Sequence, residues 1–178
     1  MAIGGALSLP PLSSQEINQA LEAAAARYAE LLREHLGGDL VSVVLFGSVA
    51  RGEARAASDI DLLIVGEELP PGRFARLRLL EVVDRQFDLE LDRLRARGVY
   101  TRVTCLLKTR AEAARVVPLY LDFVEDARLL YDRERFFETV LERLRTSLKQ
   151  LGAERRRRGR TRYWVLTPRL APGEVIEF

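Results

Sequence analysis

The chain has 178 residues, 48% of them hydrophobic and 30% charged, the composition of a soluble globular protein with one domain and at most a small appendage. A formal net charge of +2 excludes a wholesale nucleic-acid coat, although the charge is uneven, and of 28 basic residues only Lys108 and Lys149 are lysines. A single cysteine, Cys105, excludes a disulfide framework and a Cys-based zinc site, and a reduced cytoplasmic setting is the simplest reading.

Residues 1–12 meet Pro10-Pro11 before any long apolar span and carry no basic n-region. They read as a flexible arm, with no signal peptide and no membrane segment. Ser13 with Glu16 makes a capping box, after which Ile17, Leu21, Ala24, Tyr28, Leu31 and Leu32 recur at helical spacing as far as Gly37-Gly38. The sole histidine, His35, falls at the end of this helix, where it suits a dipole or solvent role. Apolar runs predict strands at 40–46 and 60–65. After Pro70-Pro71-Gly72, the residues Phe74, Leu77, Leu80, Phe87, Leu91 and Leu94 predict one long amphipathic helix ending at Gly98. Tyr100 to Leu107 predicts a third strand with Cys105 as a buried small hydrophobe, and Arg110 to Ala127 helical material broken near Pro118. Arg128 to Tyr131 then reads as a short strand, and Asp132 caps a helix carrying Phe136, Val140, Leu144 and Leu148 to Gly152. This order predicts an α/β or α+β domain over residues 13–152, with a mixed, twisted sheet flanked by helices. Residues 153–178 read as a basic C-terminal extension that forms a small β appendage: a basic loop from Glu154 to Arg162, then short strands at Tyr163–Leu166 and Glu174–Phe178. Its arginines, with aromatics alongside, suit contacts to RNA, nucleotide phosphates or an acidic partner, or form a solvated turn.

The chemistry concentrates between the first two strands, in Phe46-Gly47-Ser48-Val49-Ala50-Arg51-Gly52 and Ser58-Asp59-Ile60-Asp61-Leu62. Residues i and i+2 of a strand project to one face about 6 to 7 Å apart, so Asp59 and Asp61 point together. Two ionised carboxylates on one face repel, and a divalent cation held between them resolves the conflict. Magnesium is the natural candidate, with manganese as an alternative, because it takes oxygen ligands and substrate phosphates. Gly47 lets a phosphate approach the backbone, and Ser48 offers a hydroxyl donor. Should Ser48 to Arg51 open a helical turn, its N–H groups also face the anion.

On these residues the chain resembles the nucleotidyltransferase superfamily that includes DNA polymerase beta, and within it the minimal nucleotidyltransferases of bacteria and archaea. The shared pattern is Gly47, Ser48, Ala50, Arg51, Gly52, Ser58, Asp59, Asp61 and Leu62, set between two apolar strands. The resemblance implies the nucleotidyltransferase fold and transfer of a nucleoside monophosphate from a nucleoside triphosphate to a hydroxyl acceptor, with release of pyrophosphate. It further implies Asp59 and Asp61 as metal-holding catalytic residues, and Gly47, Ser48, Arg51 and Ser58 as nucleotide- or phosphate-binding residues. For Arg51 two readings stand, a brace paired with a carboxylate behind the turn or a direct phosphate contact, and the tight turn favours the brace.

Competent members of that superfamily usually carry a third carboxylate on a later central strand, whereas Tyr100-Thr101-Arg102-Val103-Thr104-Cys105-Leu106-Leu107 contains no acid. Two aspartates and substrate oxygens suffice, or Asp122 or Glu125 comes in from the next helix, or the protein binds nucleotide with little catalysis. The alternatives to a transferase are a nucleotide-binding regulatory, antitoxin-like module beside a helical partner protein, and an RNA-binding accessory protein. The acceptor, whether a protein, an RNA end or a small molecule, is left open.

Overall fold

The computed structural model describes residues 12–159 and 161–167. Helix α1 (Ser14–Leu36) begins at the expected capping box: the Ser13 hydroxyl accepts from the Glu16 N–H at 3.3 Å, and the Glu16 carboxylate accepts from the Ser13 N–H at 2.8 Å. Its apolar stripe, including Leu21, Ala24, Tyr28, Leu31 and Leu32, is buried against the sheet.

The sheet has four strands in the order β3-β2-β1-β4: β1 (Leu40–Phe46), β2 (Ile60–Gly66), β3 (Val103–Thr109) and β4 (Arg128–Asp132). β1 runs antiparallel to β2 and β4, while β2 and β3 are parallel, so the sheet is mixed as expected. The period of two divides its side chains between two cores. Val43, Leu45, Ile60, Leu62 and Ile64 pack against α1 and α4 (Glu81–Ala96), whereas Val41, Val44, Leu63 and Val65 pack against α6 (Leu119–Asp126) and α7 (Phe136–Gln150). Burial on both faces explains why β1 and β2 read as continuous apolar runs. Among the described residues no helix is long and apolar enough to cross a membrane.

Three expectations need correction. The single helix from Phe74 to Gly98 is two, α3 (Arg73–Arg78) and α4, with a turn at Leu79 and Leu80. Near the end of α3, the Arg76 guanidinium donates to the Leu107 carbonyl at 3.1 Å and the Glu112 carboxylate at 2.6 and 2.8 Å, which ties α3 to the edge of β3. Phe74, counted in the apolar stripe, is 82% exposed. Strand β3 starts at Val103 rather than Tyr100 and ends at Thr109, where a second capping box with Glu112 opens α5 (Arg110–Ala113). The arginine run expected as a loop is strand β5 (Glu154–Arg158), paired antiparallel with β6 (Thr161–Val165). Cross-strand partners Arg155 and Trp164 anchor this hairpin, Arg155 in a bidentate pair with Asp126 at 2.8 and 2.5 Å and the Trp164 indole donating to Asp122 at 3.2 Å. The strand expected at 174–178 and residues 1–11 of the expected arm lie outside the described residues. Asp132 acts as expected, accepting from the Phe137 and Glu138 N–H groups at 3.0 and 2.9 Å, although a 3₁₀ turn at Arg133–Arg135 intervenes before α7.

Candidate active site

β1 ends at Phe46, and Gly47 turns the chain with φ +75° into α2 (Gly47–Ala50), the short helical turn expected after the strand. Because Phe46 is the register partner of Asp61, this turn and the aspartates meet at one end of the sheet. Asp61 has the same parity as Leu63 and Val65, which places it on the face covered by α6 and α7. A Cβ on Gly47 would lie 2.2 Å from Asp61 Oδ2. Glycine is therefore required twice, by a left-handed backbone and by the carboxylate beside it.

Burial first, and the neighbouring Asp59 second, push the Asp61 carboxyl above its ordinary pKa, with Arg51 and Arg102 pulling the other way. A half-buried carboxylate next to a like charge is a donor set that suits a hard cation with oxygen ligands, so the two aspartates fit magnesium. Among the described residues no group of three or more His, Cys, Asp or Glu side chains could hold a metal.

The turns on either side are pinned from elsewhere in the chain. Buried Asn18 of α1 donates to the Val49 carbonyl at 3.3 Å and to Glu22 at 2.6 Å, and its Oδ1 accepts from the Ala54 N–H at 3.1 Å. Arg128 donates to the Ala50 carbonyl at 3.1 Å and pairs with Glu22 at 2.8 Å. Ser58 closes the approach to Asp59, its hydroxyl accepting from the Arg55 N–H at 2.9 Å. Arg51 pairs with Glu53 at 2.9 Å, the brace arrangement, and Glu53 also takes Arg162 from β6. Glu53 is held below the usual carboxylate range by its hydrogen bonds to Arg51 and then Arg162.

On β3 the places beside the aspartates hold no acid. The Ile60 N–H donates to the Arg102 carbonyl at 2.9 Å and Asp61 is in register with Thr104, so Arg102 stands next to Asp59. Its guanidinium donates to Asp59 Oδ2 at 3.0 Å. Asp122 pairs with Arg155 at 3.4 Å and accepts from Trp164. Asn18 and Arg102 carried signals that the motif overshadowed: an amide among apolar helix positions, and a cation two residues before Thr104 on the same strand face. A cavity of about 540 Å³ bordered by Arg73, Arg76, Leu77, Leu106, Lys108 and Glu112 lies at the outer edge of β3, and neither aspartate lines it.

A model of the family described as the nucleotidyltransferase domain matches residues 26–131. A protein of Methanocaldococcus jannaschii, provisionally named a protein adenylyltransferase, is 28% identical over 124 residues, covering 70% of this chain and 80% of its own. Among solved structures, a toxin-antitoxin with AMP-PNP is 18% identical, with a TM-score of 0.43 over 72% of this chain and 92% of its own. A provisionally named nucleotidyltransferase from Sulfolobus solfataricus is 21% identical, with a TM-score of 0.41 over 71% and 95%. Neither structural likeness bears on the chemistry.

Proposed function

The chain belongs to the nucleotidyltransferase domain family, and on that premise we propose that it moves a nucleoside monophosphate from a nucleoside triphosphate to a hydroxyl acceptor and releases pyrophosphate. One observation carries this reading: the Asp59 and Asp61 pair stands at the sheet end where Gly47 turns, with Asp61 Oδ2 in the space a Gly47 side chain would need. The relative named as a protein adenylyltransferase supports ATP as donor and a protein hydroxyl as acceptor. Residues 13–152 form the transferase domain and 153–178 its extension, and the setting is the cytoplasm, where nucleoside triphosphates are at hand.

Asp59 and Asp61 would hold magnesium, or manganese in its place, which would supply Lewis-acid charge to offset charge developing on the transferred group. Gly47 leaves room for the β- and γ-phosphates, and the Ser48 hydroxyl donates to one of their oxygens. Ser58 fixes the turn that delivers Asp59, and Arg51 braces α2 through Glu53. The acceptor oxygen forms its bond to the α-phosphorus in line as the bond to pyrophosphate breaks, the electron pair leaving with pyrophosphate. The acceptor proton passes to water, since no residue of β3 is an acid.

A second reading, a nucleotide-binding regulatory module that works beside a helical partner protein, is favoured by that missing acid together with Arg102 against Asp59. Incubation with each α-phosphate-labelled nucleoside triphosphate, magnesium and an extract of the source organism separates the two. Label on an acceptor, lost with Asp59→Asn, establishes the transferase. MgATP binding with no label transferred to any acceptor supports the regulatory module instead.

A further inference from the structure

We propose that Arg102 binds the α-phosphate of the nucleotide and supplies, from the residue just before β3, positive charge that stabilises the transferred group. This inference rests on the nucleotide site described above and deepens it. Three observations lead to it.

First, the position is fixed by backbone rather than by a side-chain rotamer. The Ile60 N–H donates to the Arg102 carbonyl at 2.9 Å, and the pairs Ile60 with Val103 and Asp61 with Thr104 continue the parallel ladder. Arg102 and Thr104 therefore flank Asp59 and Asp61 on one sheet face. Second, the guanidinium is loosely held. Its side chain is 79% exposed, and among the described residues its partner is Asp59, at 3.0 Å. An exposed pair of this kind contributes little, so Arg102 can exchange Asp59 for another anion at small cost. Third, the other arginine bearing on Asp61 is committed elsewhere: Arg51 pairs with Glu53, which Arg162 also holds.

Without nucleotide, Arg102 is the counter-ion of Asp59 and offsets the repulsion between the two carboxylates. With nucleotide, its planar fork matches the non-bridging oxygens of a phosphate, and Asp59 is released to its metal-holding role. Arg102 stays protonated throughout and neither gives nor takes a proton. In this site a cation just before β3 stands beside the aspartate pair. Negative charge on the α-phosphoryl oxygens is then shared between Arg102 and the group that Asp59 and Asp61 hold.

The test compares wild type, Arg102→Ala and Arg102→Lys in two calorimetric titrations, one with α,β-methylene ATP in EDTA and in magnesium, the other with Mn²⁺ alone. The exposed position lets both variants fold, which a thermal melt checks. Arg102→Ala should weaken the nucleotide roughly ten- to hundredfold in both buffers, the loss of charge-assisted hydrogen bonds. It should also bind Mn²⁺ about two- to fivefold more tightly, because a competing cation has gone. Arg102→Lys should recover part of the nucleotide affinity and keep Mn²⁺ binding near wild type. These opposite movements of nucleotide and metal set a phosphate contact apart from a merely structural pair. Wild-type nucleotide affinity in Arg102→Ala overturns the proposal while leaving the site intact. If wild type itself binds no nucleotide in either buffer, the site reading fails and the Arg102 proposal with it.

Discussion

The Asp61 carboxylate takes the space that a side chain on Gly47 would need, its Oδ2 standing 2.2 Å from the position of a Cβ. The glycine at φ +75° and the aspartate are packed together, so a side chain at Gly47 cannot be added without displacing Asp61.

Gly47→Ala should therefore lower stability, because alanine must adopt a left-handed backbone and displace Asp61, and it should abolish tight MgATP binding. Ser48→Ala removes only a hydroxyl contact worth about 0.5 to 1.5 kcal/mol. Denaturant melts and MgATP titration of both variants check this ordering. Wild-type affinity in both would place the phosphates elsewhere.

Asp61 gives the site a pH signature. Its pKa is raised in the folded chain, by burial and then by Asp59, so the folded state holds the proton more firmly than the unfolded state does. Its cost to stability is absent below the unfolded value of 3.8, grows as pH rises toward the raised folded value, and is fully present at neutral pH. Asp61→Asn should raise the melting temperature at pH 7 without metal, and the gain should shrink in acid below the unfolded pKa. A gain that stays constant across pH would remove the electrostatic explanation.

Asn18 tests how far α2 depends on α1. Its side chain holds the Val49 carbonyl and the Ala54 N–H, both buried. Asn18→Leu leaves those groups unpaired at a cost of about 1 to 3 kcal/mol. Nucleotide affinity should fall along with stability, because α2 loses its anchor. Urea melts and MgATP titration provide the check, and a variant as stable as wild type would show that water replaces the amide.

Much of this was legible in the sequence. The strand, Gly-Ser turn and Asp-x-Asp order is local, and local spacing fixes parity and turn position, so the aspartates and Gly47 could be read together. The Ser13 and Asp132 caps were visible for the same reason. What was hidden depends on contacts between distant segments. The expected long helix is split into α3 and α4, and Arg76 of α3 reaches Leu107 and Glu112. The arginine run becomes a strand through Asp126, 29 residues before Arg155. Arg102 reaches Asp59 only once β3 is in register with β2. The reason for Gly47 was half visible: a close approach was foreseen for a phosphate, while the carboxylate at that point comes from strand pairing.

Asp122 is one sequence candidate for the missing acid, and its contacts tie it to the hairpin. Its carboxylate accepts from the Trp164 indole at 3.2 Å and pairs with Arg155 at 3.4 Å. Asp122→Asn should leave MgATP affinity unchanged and shift the emission of Trp164, the sole tryptophan, as β6 loosens. A sharp fall in transfer with unchanged emission would restore Asp122 as the proton acceptor.

Calorimetric titration of wild type and the Asp59→Asn, Asp61→Asn double variant with MgATP, and with ATP in EDTA, tests the proposed nucleotide site most directly. The double variant should fold, keep its affinity in EDTA, and lose the magnesium-dependent gain by more than about a hundredfold, since altering groups that only orient metal ligands already costs roughly 10- to 100-fold. Wild-type MgATP affinity in the double variant would contradict the assignment of Asp59 and Asp61 as the metal pair.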